Sequence, residues 1–286
     1  MKRFAVCTFV CMAVCAACGV SGFDASRNIG VVAREDGSGT KTAFMAHIGL
    51  QGKPDPAGVV IQTGTAGVLA EVRGNPAAIA YESLGYTGKD VKVLQLEGVA
   101  ATVENIRSGA YILARPLSVV YRQASAENAV YAAFLAFLGS REAADIITEN
   151  GYVPMSEDPQ GYVIGTLSGS IDISGSTSLQ PLMIELAAAF EKLQPGIKLS
   201  VSGGGSGTGY KSAVEGVSIF GMISEEFMPE KAAGCTHFPV ARDGIAVIVN
   251  KANPLDSITL AELQGIYGAG KSVQKWNQLV KDQQTN

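Results

Sequence analysis

The amino-acid sequence predicts an α/β fold. Short apolar runs typical of strands alternate with segments of helical periodicity along the 286 residues, which is the pattern of that fold class. Three of the junctions between a strand and a helix are rich in glycine, serine and threonine. Hydrophobic residues make up 47% of the chain and charged residues 17%, so the chain can bury a sizeable core.

The predicted elements follow one another in chain order. Strands are predicted at Asn28–Arg34, Ala77–Tyr81, Lys92–Leu96, Ile171–Ile173, Ile197–Val201, Ile219–Ile223 and Gly244–Asn250. Helices are predicted at Lys41–Leu50, Ser125–Leu138, Glu142–Glu149, Leu179–Leu193, Tyr210–Glu215 and Leu260–Tyr267. The helix that begins near Leu179 is the clearest, because its apolar residues recur at helical spacing and Glu185, Glu191 and Lys192 lie on the other face.

One boundary divides the chain internally. The helical pattern stops at Gly151, and the sequence of residues 156–161 is polar and rich in turn formers. We therefore predict that residues 155–170 form a linker into a new strand at Ile171.

The N-terminal residues predict export. Lys2 and Arg3 precede an uncharged apolar run that ends before Cys18, and this run is too short to span a bilayer. Residues 15–18 (CAAC) resemble a bacterial lipoprotein cleavage box with Cys18 as the lipidated residue. The prediction is a signal peptide at residues 1–17 and a lipid-anchored tether at residues 18–27, which places the mature protein at the outer face of a membrane.

Removal of the signal peptide changes both the cysteine count and the charge. Besides Cys18, only Cys235 remains, so no intramolecular disulfide is expected; we interpret Cys235 as a small buried hydrophobe. The mature chain keeps 20 basic residues against 26 acidic ones, a formal net charge of −6. An acidic protein does not attract nucleic acid by its overall field, so an anion would need a local set of donors.

The three polar junctions share one design, in which a strand is followed by a loop of small residues and then by a helix. The loops are residues 34–40 (REDGSGT), residues 174–178 (SGSTS) and residues 203–209 (GGGSGTG). A helix N-terminus has unpaired N–H groups and a partial positive charge, glycine lets the backbone approach a ligand, and Ser or Thr adds a hydroxyl. Each loop alone is an ordinary helix cap, but three converging loops would bind a tetrahedral oxyanion.

Arg34 would add the one full positive charge, as a guanidinium fork that suits phosphate, and Asp36 is placed to hold it. Nucleotide-binding motifs do not fit these loops. A Walker A loop needs Gly-Lys-Ser/Thr in succession, but Tyr210 separates Gly209 from Lys211.

These loops and several other stretches resemble the PstS-type phosphate-binding proteins of bacterial ABC transporters. The matching stretches are residues 174–181 (SGSTSLQP), 203–209 (GGGSGTG), 243–250 (DGIAVIVN), 34–40 (REDGSGT), 77–86, 108–117 (SGAYILARPL) and 150–154 (NGYVP). The resemblance covers nearly all of the mature chain. It implies a two-lobed periplasmic-binding-protein-like fold with the ligand in a cleft between the lobes.

The order of the motifs departs from the family. The family runs from SGST through GGGSGTG to DGSGT and a terminal GYVP, whereas here DGSGT and GYVP precede SGST. The sequence therefore resembles a circular permutation of one complete domain; a truncated tandem array or an engineered rearrangement would give the same order. One lobe is expected to be continuous at residues 116–239, and the other to combine residues 28–115 with 240–286.

The resemblance also implies the ligand set. The family's phosphate ligands fall on Arg34, Ser38, Gly39, Thr40, Thr177, Ser178 and Ser206. Ser224 occupies a further ligand position, where some members have an acidic residue, and Glu225 follows where relatives often have arginine. A carboxylate acceptor suits only an anion that still carries a proton, whereas a serine can donate or accept, so discrimination between phosphate and sulfate stays open.

The function that the resemblance implies is capture of phosphate and its delivery to the permease subunits of an ABC transporter, by a monomer without cofactor or metal. A hydrolase of phosphate esters is the alternative from another class. It would need a base or a metal beside the loops, but His47 and His237 lie outside the motifs. A surface lipoprotein that senses phosphate without transporting it, or that binds sulfate instead, stays open as well.

Overall fold

A computed structural model describes residues 23–280. The strands are β1 Gly30–Arg34, β2 Val60–Gln62, β3 Ala78–Ser83, β4 Lys92–Val93, β5 Gln95–Leu96, β6 Ala114–Arg122, β7 Val153–Pro154, β8 Gly169–Gly175, β9 Ile197–Gly203, β10 Phe220–Ile223, β11 Cys235–Val249 and β12 Ser257–Ile258. The helices are α1 Gly39–His47, α2 Thr65–Gly74, α3 Val103–Ser108, α4 Ala129–Leu138, α5 Arg141–Glu149, α6 Gln180–Leu193, α7 Ser206–Glu215, α8 Leu260–Tyr267 and α9 Asn277–Val280.

The large sheet has the strand order β2-β1-β3-β11-β6-β10-β8-β9, and β4 and β7 also pair with β11. Strands β2, β1 and β3 run parallel at one end, and β10, β8 and β9 run parallel at the other. Between them, β11 and β6 are antiparallel to their neighbours. Two parallel groups, each covered by helices, therefore meet at one antiparallel pair.

Each parallel group has its own hydrophobic core. One core is built around Phe44, Tyr81, Ile245, Tyr267 and Trp276. The other gathers Phe134, Phe137, Leu186, Phe190 and Phe220, and its buried members lie within residues 117–241. These two cores define two lobes. The predicted bounds of the lobes, residues 116–239 for one and residues 28–115 with 240–286 for the other, stay a prediction.

Strand β11 passes from one lobe to the other. Its first part pairs with β6, and its last five residues pair with β3. The register with β6 shifts between Pro239 and Ala241, which marks a β-bulge near the point where the strand changes core. The sheet is therefore continuous from lobe to lobe.

The two ends of the described chain lie side by side. Asn28 forms a β-bridge with Lys275, and the ring of Phe23 packs edge-on against Trp276 at 5.6 Å between centroids. The Trp276 side chain is fully buried, and its indole N–H donates to the carbonyl of Ala77. Residues 23–27, the described part of the predicted tether, thus pack on the lobe; residues 1–22, including Cys18, lie outside the described range.

Several predicted elements differ from the structure. The predicted strand Lys92–Leu96 is split between two partners, because β4 pairs with β11 and β5 with β12. The predicted strand Gly244–Asn250 is the second part of the longer β11, and the linker ends where β8 begins, at Gly169. Cys235 is half-buried rather than buried. No helix within residues 23–280 is long and apolar enough to cross a membrane.

Candidate functional site

Three helix N-termini face one another where the two lobes meet. Helix α1 packs in one lobe and α6 in the other, and α7 packs against β8 and β10 of the same lobe as α6. The Thr40 and Ser178 hydroxyls are 2.9 Å apart across this junction, and the Gly207 N–H donates to the Gly37 carbonyl at 3.0 Å. The loops before α1, α6 and α7 are the three that the sequence singles out, and the structure brings them together.

The start of α1 is built by its own sequence. Ser38 is the N-cap, has extended backbone dihedrals and accepts a hydrogen bond from the Lys41 N–H. Gly39 and Thr40 are the first helical residues, and both are buried. A side chain at residue 39 would collide with Ser206 Oγ and would lie 2.8 Å from Ser224 Oγ, so only glycine allows this approach.

Arg34 lies at the end of β1 with 1% of its surface exposed, and all five of its N–H donors are engaged. Nε and Nη2 bind the two carboxylate oxygens of Glu35 at 2.9 and 3.0 Å. Nη1 donates to Glu82 Oε2 at 3.0 Å and to the Thr65 hydroxyl at 3.4 Å. Nη2 also donates to the Thr177 hydroxyl of the opposite lobe at 2.9 Å. Two of the five donors thus meet neutral hydroxyls, which an anion could replace.

The prediction that Asp36 holds Arg34 is wrong. The Asp36 carboxylate bonds to Lys41 Nζ at 2.8 Å, and 99% of its side chain is exposed. Glu35, one residue earlier, faces the guanidinium because its Oε2 is also fixed by the Gly64 N–H at 3.2 Å. Burial raises the pKa of Glu35, but the hydrogen bond and charge of Arg34 lower it by more, so the pKa lies below its ordinary value.

Glu82 is a further partner of Arg34 that the sequence does not predict. It is fully buried in β3, and its Oε1 accepts hydrogen bonds from the Ser83 N–H at 3.0 Å and the Ser178 hydroxyl at 3.1 Å. A signal was present, since Glu82 is the one charged residue in a strand whose six residues are all buried. A buried carboxylate needs partners, and Arg34 is the charged one.

The α7 side of the site depends on serines and on close packing. The Ser206 hydroxyl accepts from the Ser224 N–H at 3.0 Å and lies 3.3 Å from the Ser224 hydroxyl. Helix α7 can lie this close to the sheet because a Cβ at Gly209 would collide with the Met222 carbonyl. The structure therefore places Ser224 beside the predicted ligand Ser206.

A second buried arginine lies behind the serines. Arg115 donates to Asp243 Oδ2 through Nε and Nη2 at 3.2 and 3.0 Å, and its Nη1 donates to the Ser224 carbonyl at 2.9 Å. Burial raises the pKa of the Asp243 carboxyl, and the charge of Arg115 offsets this only in part. Glu225 is also buried and bonds through Oε1 to Lys231 at 3.4 Å, so this acidic residue points to a lysine rather than to the three loops.

The histidines lie in other settings. His47 bonds to the Ala114 carbonyl at 3.0 Å, and His237 stacks on Phe227 at 4.3 Å between ring centroids. Within the described range, no group of three or more His, Cys, Asp or Glu side chains could hold a metal ion.

Two lobes joined through one sheet, with polar loops facing each other at their junction, define the class of two-lobed binding proteins. The family described as "PBP superfamily domain" matches residues 20–142 and 162–286. The interruption between the two matched segments includes the first part of the predicted linker.

Named relatives narrow this class. The chain is 34% identical over 277 residues to "Phosphate-binding protein PstS 2" of Streptococcus pneumoniae, covering 90% of this chain and 94% of the relative. It is 31% identical to the protein of that name from Streptococcus agalactiae, covering 98% of both. A crystal structure of a phosphate-binding protein of a phosphate ABC transporter from Streptococcus pneumoniae matches with a TM-score of 0.71 and 34% identity, over 88% of this chain and 99% of that one. The chain therefore belongs to the PstS-type family within the PBP superfamily.

Proposed function

We propose that this protein captures inorganic phosphate between its two lobes and delivers it to the permease subunits of an ABC transporter. The observation that carries the proposal is the convergence of three helix N-termini around the buried Arg34. The proposed ligands are Arg34, Ser38, Gly39, Thr40, Thr177, Ser178 and Ser206, with Ser224 beside them.

The contacts between the lobes support this assignment. Thr40 and Ser178 meet from opposite lobes, as do Arg34 and Thr177. An anion bound at this junction would therefore touch both lobes and favour their closed arrangement. Helix N-termini and hydroxyls bind an oxyanion without a large net charge, which suits an acidic protein.

The protein acts by binding and not by catalysis. A phosphate-ester hydrolase would need a base or a metal beside the loops, and the contacts of His47 and His237 lie elsewhere. We further propose that the protein is exported, carries a lipid on Cys18 and works as a monomer at the membrane surface.

We also propose that the two halves of the chain are circularly permuted relative to the motif order SGST, GGGSGTG, DGSGT, GYVP, and that the Streptococcus relatives, which align with this chain over nearly their full length, share its order. The neighbouring positions of Asn28 and Lys275 support this, because two ends that lie together can be joined or separated without rebuilding the core. The linker offers a test. Proteolytic cleavage within residues 156–159, which lie largely at the surface, should leave phosphate binding intact.

The test of function is calorimetric titration of the phosphate-stripped protein with inorganic phosphate. Binding of one phosphate per chain is the expected result. A folded protein that gives no heat with phosphate would overturn the proposal, and circular dichroism on the same sample shows whether it is folded.

A further inference from the structure

We infer that the protein has a second anion site, which takes a small anion with two or more phosphate or carboxylate groups. The site is a groove of about 730 Å³, and Arg107, Arg141 and Arg242 are among the residues that line it. This inference goes beyond the proposed function, because the groove shares no lining residue with the three loops.

The walls of the groove come from both lobes. Arg107 lies on α3, next to Ile106 of the first core. Arg141 is the first residue of α5, and Ile147 of that helix belongs to the second core. Arg242 lies on β11, the strand that passes from one lobe to the other. An anion in the groove would therefore contact both lobes.

The groove lies on a different face of β11 from the first site. Ala241 and Asp243 are buried, whereas Arg242 between them is exposed, and successive side chains of a strand point to opposite faces. Asp243 pairs with Arg115, whose Nη1 donates to the Ser224 carbonyl. Arg242 thus points away from the face that supports Ser224.

The three groove arginines have no charged partner of their own. The arginine salt bridges within residues 23–280 involve Arg34, Arg73 and Arg115. A guanidinium has N–H donors in a fixed fork and can bind a carboxylate or a phosphate through two of them at once. Three unpaired forks that line one groove can therefore bind an anion with more than one charged group.

The remaining charges of the groove are three carboxylates, those of Asp145, Glu157 and Asp158. The helices and the strand contribute three arginines against one acidic residue, Asp145. The other two carboxylates lie in the linker of residues 155–168, which has no helix or strand. The framework of the groove is thus positive, and the linker carboxylates should weaken anion binding.

The experiment uses triphosphate and citrate as probes, one with phosphate groups and the other with carboxylates. Each probe is titrated by calorimetry into metal-free protein that already contains excess inorganic phosphate, so that the first site is occupied. Binding of at least one probe, one molecule per chain, is the expected result. Arg107→Gln and Arg141→Gln, one from each lobe, should each weaken it by about tenfold, because a hydrogen bond between charged groups is lost.

Two further variants test the chemistry of the groove. Arg141→Lys keeps the charge but loses the fork, so its affinity should lie between those of Arg141→Gln and the wild type. The double variant Glu157→Gln with Asp158→Asn removes the linker carboxylates and should bind the probe more tightly.

The matched control is Arg73→Gln, which removes one surface arginine outside the groove. Its affinity for the probe should equal that of the wild type. The substituted side chains are exposed, so the variants should fold, and circular dichroism checks this.

The outcomes separate this inference from the proposed function. A wild type that binds neither probe would overturn the inference, and so would arginine variants of the groove that bind like the wild type. Weaker binding by the linker double variant would show that the groove does not select an anion. Failure of phosphate capture at the three loops would leave the inference standing, since the groove has its own residues.

Discussion

Among residues 23–280, two arginines are buried, Arg34 and Arg115, and they differ in what surrounds them. Arg115 lies opposite Asp243 in the register of β6 and β11, and its third contact is a backbone carbonyl. Arg34 lies at the end of β1, where two carboxylates and two threonine hydroxyls surround it and one of the hydroxyls belongs to the other lobe. The charged partner of Arg115 lies on a paired strand, whereas the partners of Arg34 lie on a strand, a helix start and loops of both lobes.

This difference separates a structural ion pair from a binding group. Asp243 lies opposite Arg115 on a paired strand, so the register of the sheet holds this ion pair together. The hydroxyl partners of Arg34 come from Thr65 and Thr177, and a movement of the lobes would remove Thr177 without breaking the sheet. The same residue type is thus a structural group in one place and a candidate ligand in the other.

The largest expected effect is on the stability of the protein and comes from breaking the ion pair of Arg115 with Asp243. Arg115→Met should lower the free energy of unfolding at pH 7 by about 3–5 kcal/mol, because it leaves the Asp243 carboxylate buried without its charge partner. Burial already raises the pKa of Asp243, so the folded variant should hold a proton on this group that the unfolded chain releases. The variant should therefore regain stability toward pH 4, which denaturant unfolding across pH 4–7 would show.

Arg73→Met is the control for this prediction. Arg73 pairs with Asp90 at the surface, and losing such a pair costs under about 1 kcal/mol. Equal losses in the two variants would contradict the structural role of Arg115.

The next largest effect is expected on phosphate binding at Arg34. Arg34→Ala should weaken phosphate binding by about 2–5 kcal/mol, because it removes the positive partner of the anion and leaves Glu35 and Glu82 facing the site. Calorimetric titration at a temperature where the variant is folded measures this. An unchanged affinity would show that the anion binds elsewhere and that Arg34 is as structural as Arg115.

The smallest effect concerns Glu35, whose pKa is lowered in the folded protein. A carboxylate of this kind contributes stability above its unfolded pKa and loses it as the pH falls through the folded value. Acidification below the ordinary value of 4.5 should therefore cost the wild type stability that Glu35→Gln does not lose. The side chain is partly exposed, so solvent screening keeps the difference under about 1 kcal/mol.

Denaturant unfolding of both proteins between pH 7 and pH 3 tests this. Parallel stability curves for the wild type and Glu35→Gln would mean that Arg34 does not favour the ionised form of Glu35.

The parts of the site that the sequence predicts are the local ones. Loops of glycine and hydroxyl residues between a strand and a helix are local patterns, and the structure brings all three to one place. The choice between Glu35 and Asp36 is not local, because the Gly64 N–H from another loop helps to fix Glu35. The partnership of Glu82 with Ser178 joins residues 96 positions apart, and no short pattern reveals it.

The same distinction between local sequence patterns and contacts of distant residues holds for the fold. The predicted helix Leu260–Tyr267 has the bounds that the structure gives, and its Thr259 and Glu262 form a capping box. The sequence analysis predicts no strand at β6, where Pro116 removes a donor from the strand ladder. The structure accommodates this proline where β6 pairs with β11 alone, since β10 joins only from Ser118 onward.

The burial of Trp276 beside the segment of residues 23–29 has a consequence for the order in which the two lobes can fold. The core of residues 117–241 depends on one continuous stretch of chain, so that lobe can form without residues from outside this stretch. The other core combines Ile29 with Trp276, so it stays incomplete until both of these distant segments are present. The lobe that carries Arg34 therefore contains residues on both sides of the 117–241 stretch and can be completed only after that stretch has been made.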